Sequence, residues 1–331
     1  MRSFFRLMKL ALLFAVMLIL VPHSSFARSR QAQCLDVAGR GNLNVLTINL
    51  LFTEMEDRES RLEKIADFII QKTNAGKPVD IVMLQEVVGG AWPGTMNSSL
   101  DLQKLLTTGG IRYNLSYTLA NGVPGILTVG NAILSRCEII ATLFKILPFE
   151  SEEIFQGLEV RLKRKVLMSR IDVPGSGEIN LYNTHLCSYC DPGNRLEQAR
   201  ELMKFIKDVE KLIPGDNPIL LGGDFNTDLT VPDDLPVYNL ITQDNHFVDS
   251  YAAAHACSDC CSANQGYDGC TYGVPGNPYA INPFTGQQEP PGRIDYLFEK
   301  GMGIESSAVV FRSGSCWVSD HSGVLTKFRL P

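Results

Sequence analysis

Short aliphatic runs of strand length recur along the chain, and each stops abruptly at or beside an acid, an amide or an imidazole. LNVLTINLLF (43–52), VDIVMLQEV (79–87), GNAILSR (130–136), EINLYNTHL (178–186) and NPILLGGDF (217–225) are of this kind. They read as buried strands, and helical patterns lie between them. Leu62, Ile65 and Ile69 fall on one face of a first helix. A second helix begins near Arg195 and carries Leu196, Ala199, Met203, Ile206 and Val209 at helical spacing. Gly76 and Pro214-Gly215 are the expected stops. With no internal repeat, low-complexity tract or Pro/Gly-rich linker, residues 28–331 are expected to form one α/β domain. The stretch 256–293 departs from this pattern: it is rich in Cys, Gly, Pro, Asn and aromatics and has no periodicity. A loop that long inside a compact domain is usually functional or disulfide-stapled.

The first 27 residues have a separate explanation. Arg2, Arg6 and Lys9 precede an apolar run from Leu10 to Val21, and Ser25-Phe26-Ala27 supplies small residues around a cut. The run is short for a bilayer span, so a cleaved signal peptide (1–27) is expected rather than an anchor, with a secreted or periplasmic product. Removing those three basic residues takes the formal charge from −6 to −9. That balance gives no electrostatic footprint for nucleic acid. It does not exclude a nuclease, since a metal ion supplies local positive charge. All nine cysteines lie beyond residue 27. Export favours disulfides with one thiol left over, although CSYC (187–190) and CSDC (257–260) are also spaced for a four-cysteine zinc site.

The polar residues that end the runs are the chemical signal. They are Asn49, Glu86, His185, Asp224 and Asn226, joined later by Asp295 in RIDYLF and Asp320-His321 in SDHSG. Taken singly, each has a plain structural role: a turn residue, a surface carboxylate, a satisfied histidine. Taken together at strand ends, they would meet at one sheet edge. Such a set suits phosphodiester cleavage. A hard divalent cation takes oxygen ligands, so Glu86 with Asn49 fits Mg²⁺ or Mn²⁺. A histidine held in one tautomer by a carboxylate can activate water, and a second histidine with an amide can stabilise phosphoryl charge. Asp224 and Asn226, two apart, would point to the same side of an extended chain, with Phe225 turned into packing.

In order along the chain, TIN, LQE, GNAILSR, NTHL, GGDFN, RIDY and SDH resemble the endonuclease/exonuclease/phosphatase superfamily, whose fold is called DNase I-like. The resemblance covers nearly all of residues 43–329. It implies a four-layer α/β/β/α sandwich with two packed mixed β-sheets and a divalent-metal-dependent phosphoesterase site at one edge. Carried over position by position, it makes Glu86 the main metal ligand with Asn49 beside it, and His321 the general base with Asp295 as its carboxylate partner. His185 would bind the phosphate and assist the leaving group, Asp224 and Asn226 would position the nucleophile, and Asp320 would complete the site. Lys165 in KRKVLM falls where some lipid-cleaving members have a lysine. Within the superfamily, the neutral sphingomyelinases resemble this chain in NTHL followed by RLEQARELMKFI, in DSY (249–251) and in TYGVPGNPYAINPF (271–284) ahead of RIDYLF. The Cys-rich 257–270 insertion departs from that branch.

The function these features lead to is a secreted metal-dependent phosphodiesterase that hydrolyses sphingomyelin to ceramide and phosphocholine, acting on a phospholipid or sphingolipid at a membrane surface. Tyr272, Tyr279 and Phe284 would either touch that surface or pack under the disulfides. A secreted nuclease is the alternative, with nucleic acid tracked by Arg161, Lys163, Arg164 and Lys165. A binding protein on a retired scaffold is disfavoured because every expected catalytic position carries a competent residue. No obligate protein partner is inferred.

Overall fold

The computed structural model describes residues 34–331 apart from 124, 156, 157, 213, 214, 259, 283 and 284. The signal-peptide segment 1–27, Pro214 of the second helix stop and Phe284 therefore lie outside the described residues. In chain order the strands are β1 (Asn42–Asn49), β2 (Ile81–Gly89), β3 (Asn114–Val123), β4 (Leu127–Ser135), β5 (Glu138–Phe155) and β6 (Leu158–Val173). They continue with β7 (Gly177–His185), β8 (Ile219–Asp224), β9 (Val248–Asp249), β10 (Asp295–Lys300), β11 (Gly303–Val310) and β12 (Gly323–Arg329). The helices that matter for the site are α1 (Arg58–Asn74), α2 (Ser98–Thr108), α3 (Pro192–Leu212), α4 (Leu235–Asn239) and α5 (Ser250–His255).

The strands form two six-stranded mixed sheets, ordered β11-β12-β1-β2-β4-β3 and β5-β6-β7-β8-β10-β9. Each is antiparallel except for one central parallel pair, β1 with β2 and β7 with β8. The aliphatic runs are apolar on both parities because each central strand is covered twice. In β1, Leu43 and Val45 pack between the sheets, while Leu46 and Ile48 pack toward α1 and α2. In β7 and β8, Leu181 and Leu220 face the other sheet, while Tyr182 and Leu221 join Ala199, Met203, Ile206 and Val209 of α3. The layers are thus helix, sheet, sheet, helix, as the DNase I-like sandwich requires. Both helices bury the faces read from the sequence, including Leu62, Ile65 and Ile69 of α1.

Toward one edge the material between the sheets turns polar. Gln85 Nε2 donates to Thr47 Oγ1 (3.1 Å) and Asn183 Oδ1 (2.7 Å), and Asn183 Nδ2 donates to the carbonyls of Leu84 and Ala132. These buried amides bridge the sheets directly beneath the strand ends, and Gln85 Oε1 is the one amide oxygen of the pair without a hydrogen-bond partner among the described residues. Gly222 and Gly223 belong to the same tight region. A Cβ on Gly222 would sit 2.7 Å from Met83 Sδ across the sheets, and one on Gly223, at φ +137°, 2.0 Å from the Thr184 carbonyl. The two glycines therefore let β8 approach its neighbours.

Four disulfides are formed: Cys34–Cys137, Cys187–Cys190, Cys257–Cys260 and Cys261–Cys270. Each C-x-x-C closes on itself, so the two motifs do not assemble a zinc site, and Cys316 is the free, exposed thiol. This cysteine usage is that of an oxidising compartment. The Cys261–Cys270 bridge packs with Val274 and Trp317, giving the loop a small core of its own. Among the described residues no helix is long and apolar enough to cross a membrane.

Candidate active site

Strand register builds the site. Along the second sheet His185 is paired with Asp224, and Asp224 with Asp295, so three adjacent strands β7, β8 and β10 end in an imidazole and two carboxylates. In the first sheet Asn49 pairs with Gln85, and Glu86 follows at a bulge where β2 slips against β4. A bulge re-aims a side chain, and Glu86 adopts a left-handed φ of 55° to do so. His321 enters from the turn before β12. Asn49 Nδ2 joins the two sheets, donating to Glu86 Oε1 (3.1 Å) and to Asp224 Oδ2 (3.0 Å).

Asp224 is the hub. Its Oδ2 lies 3.4 Å from His185 Nε2 and 3.6 Å from His321 Nε2, and its Oδ1 accepts from the Asn226 backbone N–H at 2.9 Å. Burial pushes its carboxyl up, to about 6; the His321 charge opposes that rise and Asp295 adds to it. His321 Nδ1 is 2.8 Å from Asp295 Oδ2. Because a carboxylate only accepts, the proton sits on Nδ1 and the other nitrogen faces Asp224. Burial alone would depress this histidine, but Asp295, Asp320 and Asp224 outweigh it and hold its pKa well above the ordinary value. Asp320 itself is raised by burial, against the pull of His321.

His185 has the opposite arrangement. Arg164 Nη1 lies 3.0 Å from its Nδ1, and a guanidinium can only donate, so Nδ1 accepts and the proton sits on Nε2. Burial, the Arg164 charge and then His321 push its pKa well below the ordinary histidine value. It is a neutral donor aimed into the cleft. Asn226 stands at the end of β8 with φ 47°, so the chain is not extended there, and its Nδ2 donates to the Leu186 carbonyl at 3.0 Å. The expectation that it shares a strand face with Asp224 is thus replaced by a turn that brings both to the cleft. Phe225 is turned into packing against Tyr296 and Phe298, as expected.

All of Glu86, His185, Asp224, Asn226, Asp320 and His321 line one cleft of about 630 Å³. Asn49 and Asp295 stand behind it, fully buried. Several residues outside the expected set hold these in place. Arg61 donates to the carbonyls of Leu50, Leu51 and Glu54 after β1, and to that of Val318 ahead of His321. Thr271 Oγ1 accepts the N–H groups of Ile294 and Asp295, and Asn277 Nδ2 donates to the carbonyls of Ser319 and Asp320. Tyr272 lies with its ring 4.9 Å from that of His321. The TYGVPGN stretch therefore braces the RIDY and SDH segments directly. Asp249 of DSY pairs with Arg293 of RIDY at 2.7 Å and caps α5. The sequence pattern does not single out Arg61 or Arg164 as supports of the histidines. The available signal is that each sits where its neighbours in the pattern are apolar: Leu62 and Ile65 in α1, Leu162 and Val166 in β6.

The Arg161–Lys165 cluster does not act as one surface. Strand alternation sends Arg161 and Lys163 to solvent and buries Arg164 at His185. Lys165 Nζ donates to the Leu119 carbonyl and lies 4.5 Å from the Phe144 ring centroid, and burial lowers its pKa, with Lys163 contributing.

The donor set fits a hard divalent cation. Glu86 is only partly buried and opens to the cleft, and Asp295 Oδ1 is a buried oxygen without a hydrogen-bond partner. Ligand atoms of Asp224, Asp295 and His321 lie within 4.8 Å of one another. As placed, Asn49 turns its amide nitrogen to the carboxylates and its oxygen to the Leu51 N–H (3.0 Å), so it braces Glu86, and acting as an oxygen ligand requires turning the amide over.

A family model described as Endonuclease/Exonuclease/phosphatase family matches residues 46–321, spanning every one of these side chains. The chain belongs to that family. Its members are generally hydrolases of phosphoester bonds, typically dependent on divalent metal. The fold recurs in a family protein from Leptotrichia buccalis C-1013-b, at 21% identity over 86% of this chain and 99% of that one, with a TM-score of 0.59. It recurs in D. rerio TDP2 complexed with a single-strand DNA product (17% identity, 87% and 98% covered, TM-score 0.60). It is found again in the human Nocturnin catalytic domain with a bound sulfate anion (18%, 88% and 94%, 0.57). No curated protein matches the chain by sequence.

Proposed function

We propose that this family member is an exported, Mg²⁺- or Mn²⁺-dependent phosphodiesterase of the sphingomyelinase or phospholipase C type, converting sphingomyelin to ceramide and phosphocholine. The observation that carries the phosphodiesterase reading is the pair of oppositely prepared histidines on either side of Asp224. His321, with Nδ1–H given to Asp295, keeps Nε2 to take a proton from water. His185, neutral with its one proton on Nε2, donates a hydrogen bond to the phosphoryl group as charge moves toward the departing alkoxide, which takes its proton from solvent. Asp224 and Asn226 position the attacking water, and Asp320 adds negative charge beside His321. A divalent cation held by Glu86, with Asn49, would supply charge neutralisation for the phosphoryl group and offset the carboxylate field that keeps His321 protonated.

The lipid substrate is supported by the sphingomyelinase-like TYGVPGNPYAINPF stretch at the cleft and by the lack of one continuous basic surface at Arg161–Lys165. Export is supported by the four disulfides and the signal-peptide pattern. A nuclease is the second reading, favoured by the fold shared with TDP2, whose structure holds a DNA product. Hydrolysis of sphingomyelin, phosphatidylcholine and DNA, measured side by side with Mg²⁺ and with chelator, separates the two. Sphingomyelin cleavage that is lost with chelator is expected, falling roughly 10²–10⁴-fold in His321→Ala with folding intact. Faster DNA cleavage would replace the lipid reading, and full activity of His321→Ala would sink the mechanism.

A further inference from the structure

The cleft is larger than its reacting end. Beyond the groups already described, its lining contains Phe52, Tyr189, Tyr272 and Tyr279 together with the carboxylates of Glu54 and Glu289. These side chains belong to three separate segments, and two of them are fixed relative to the reacting centre. The Tyr272 ring lies 4.9 Å from that of His321, and its hydroxyl is hydrogen-bonded to Glu289. Asn282 Nδ2 holds Glu289 Oε1 at 2.8 Å. Glu289 is therefore a positioned carboxylate one tyrosine's length from the water-activating histidine. Tyr279 already has one cation near its ring, the Arg61 guanidinium at 5.6 Å from the centroid, and its hydroxyl is 3.3 Å from Asp57 Oδ2.

An aromatic lining interleaved with carboxylates has a definite chemical preference. Ring faces attract cations, most strongly those that cannot hydrogen-bond and are easily stripped of water, which is the case for a quaternary ammonium group. Carboxylates at the same place add an undirected attraction. A polyanion brought into the same space meets Glu54 and Glu289 as like charges.

We infer that the Tyr272–Tyr279–Glu289 side of the cleft is a subsite for a quaternary ammonium group carried on the scissile phosphate ester, and that it makes the enzyme select choline phosphodiesters. This rests on the phosphodiesterase reading above and adds to it the residues that read the headgroup. Choline phosphodiesters place the ammonium a two-carbon link away from the phosphate oxygen, so a cation-attracting wall beside His321 is reached while the phosphate sits at the histidines.

The test compares two soluble esters on the Mg²⁺-loaded protein: p-nitrophenyl phosphocholine and its isostere with an uncharged headgroup, p-nitrophenyl 3,3-dimethylbutyl phosphate, in which carbon replaces the nitrogen. The kcat/KM ratio should favour the choline ester by roughly tenfold or more. Glu289→Gln and, independently, Tyr279→Leu should each lower that ratio severalfold. Because the ratio is taken on one protein, losses from folding or metal loading cancel. A ratio near one in the unmodified protein, with both esters hydrolysed, would overturn the subsite and leave the phosphodiesterase reading standing. A ratio unchanged in both variants would remove these residues from the assignment. No hydrolysis of either ester would overturn the phosphodiesterase reading and the subsite with it.

Discussion

The His185 and His321 sides of the cleft are built from the same residue type at nearly the same depth, 4% and 5% exposed, and both histidines reach the same oxygen of Asp224. Burial lowers the pKa of each. Their charge states nevertheless diverge, because one is backed by Arg164 and the other by Asp295 and Asp320. Burial by itself would leave both neutral: at His185 it is the largest cause of the lowered pKa and Arg164 reinforces it, whereas at His321 the surrounding carboxylates overturn it, and the pattern of one proton donor and one proton acceptor follows.

The comparison breaks most visibly at Asp295. In Asp295→Asn the amide can donate to Nδ1, which moves the histidine proton to Nε2 and removes the lone pair that faces water. Turnover of a soluble phosphodiester should fall roughly 10²–10⁴-fold, with the fold retained by circular dichroism. Retained turnover would show that His321 is not the base. A smaller effect is expected on the other side. Arg164→Met removes the donor to His185 Nδ1 but leaves the burial, so the His185 pKa should rise while staying below the ordinary histidine value, followed by NMR, with kcat down roughly tenfold. An unmoved His185 titration would separate the arginine from the histidine.

The smallest effect is on stability, measured as thermal midpoints in chelator from about pH 4 to about pH 9, which spans both histidines' windows. The folded pKa of His321 lies above its unfolded value of about 6.5, so its contribution is fully present below that pH and is lost as pH rises through the folded value. For His185 the folded pKa lies below, so its contribution is present above about 6.5 and is lost as pH falls. The stability gap to His321→Gln should narrow with rising pH and the gap to His185→Gln with falling pH. Gaps that move in the same direction would contradict the opposed charge states.

Much of this site is legible in the amino-acid sequence because strands β1, β2, β7 and β8 are apolar on both parities and then stop. A polar residue at the stop can only be at an edge, and parallel pairing puts two such stops side by side in each sheet. The supporting arginines are less legible, since Arg61 and Arg164 lie inside runs of charged residues; only the helical spacing of Arg61 to Ile65 and the strand parity of Arg164 with Leu162 mark them as buried. The β5–β6 hairpin leaves no clear trace in the pattern. It occupies a sheet edge, and exposed Ile140, Phe144 and Ile146 blur the alternation that would reveal it. Disulfide partners are set by spatial approach, which spacing does not encode: Cys34 and Cys137 are 103 residues apart.

Glu86 and Asn226 hold backbone conformations that side-chain-bearing residues adopt reluctantly, at a cost of about 1–2 kcal/mol for a residue such as glutamate and less for asparagine. Glycine would relieve that cost at both positions and delete the carboxylate and the amide that the cleft displays. A lineage, or a laboratory population, selected only for resistance to heat would therefore drift toward glycine at these two positions. Their retention as glutamate and asparagine would then record that catalysis, and not robustness, was under selection.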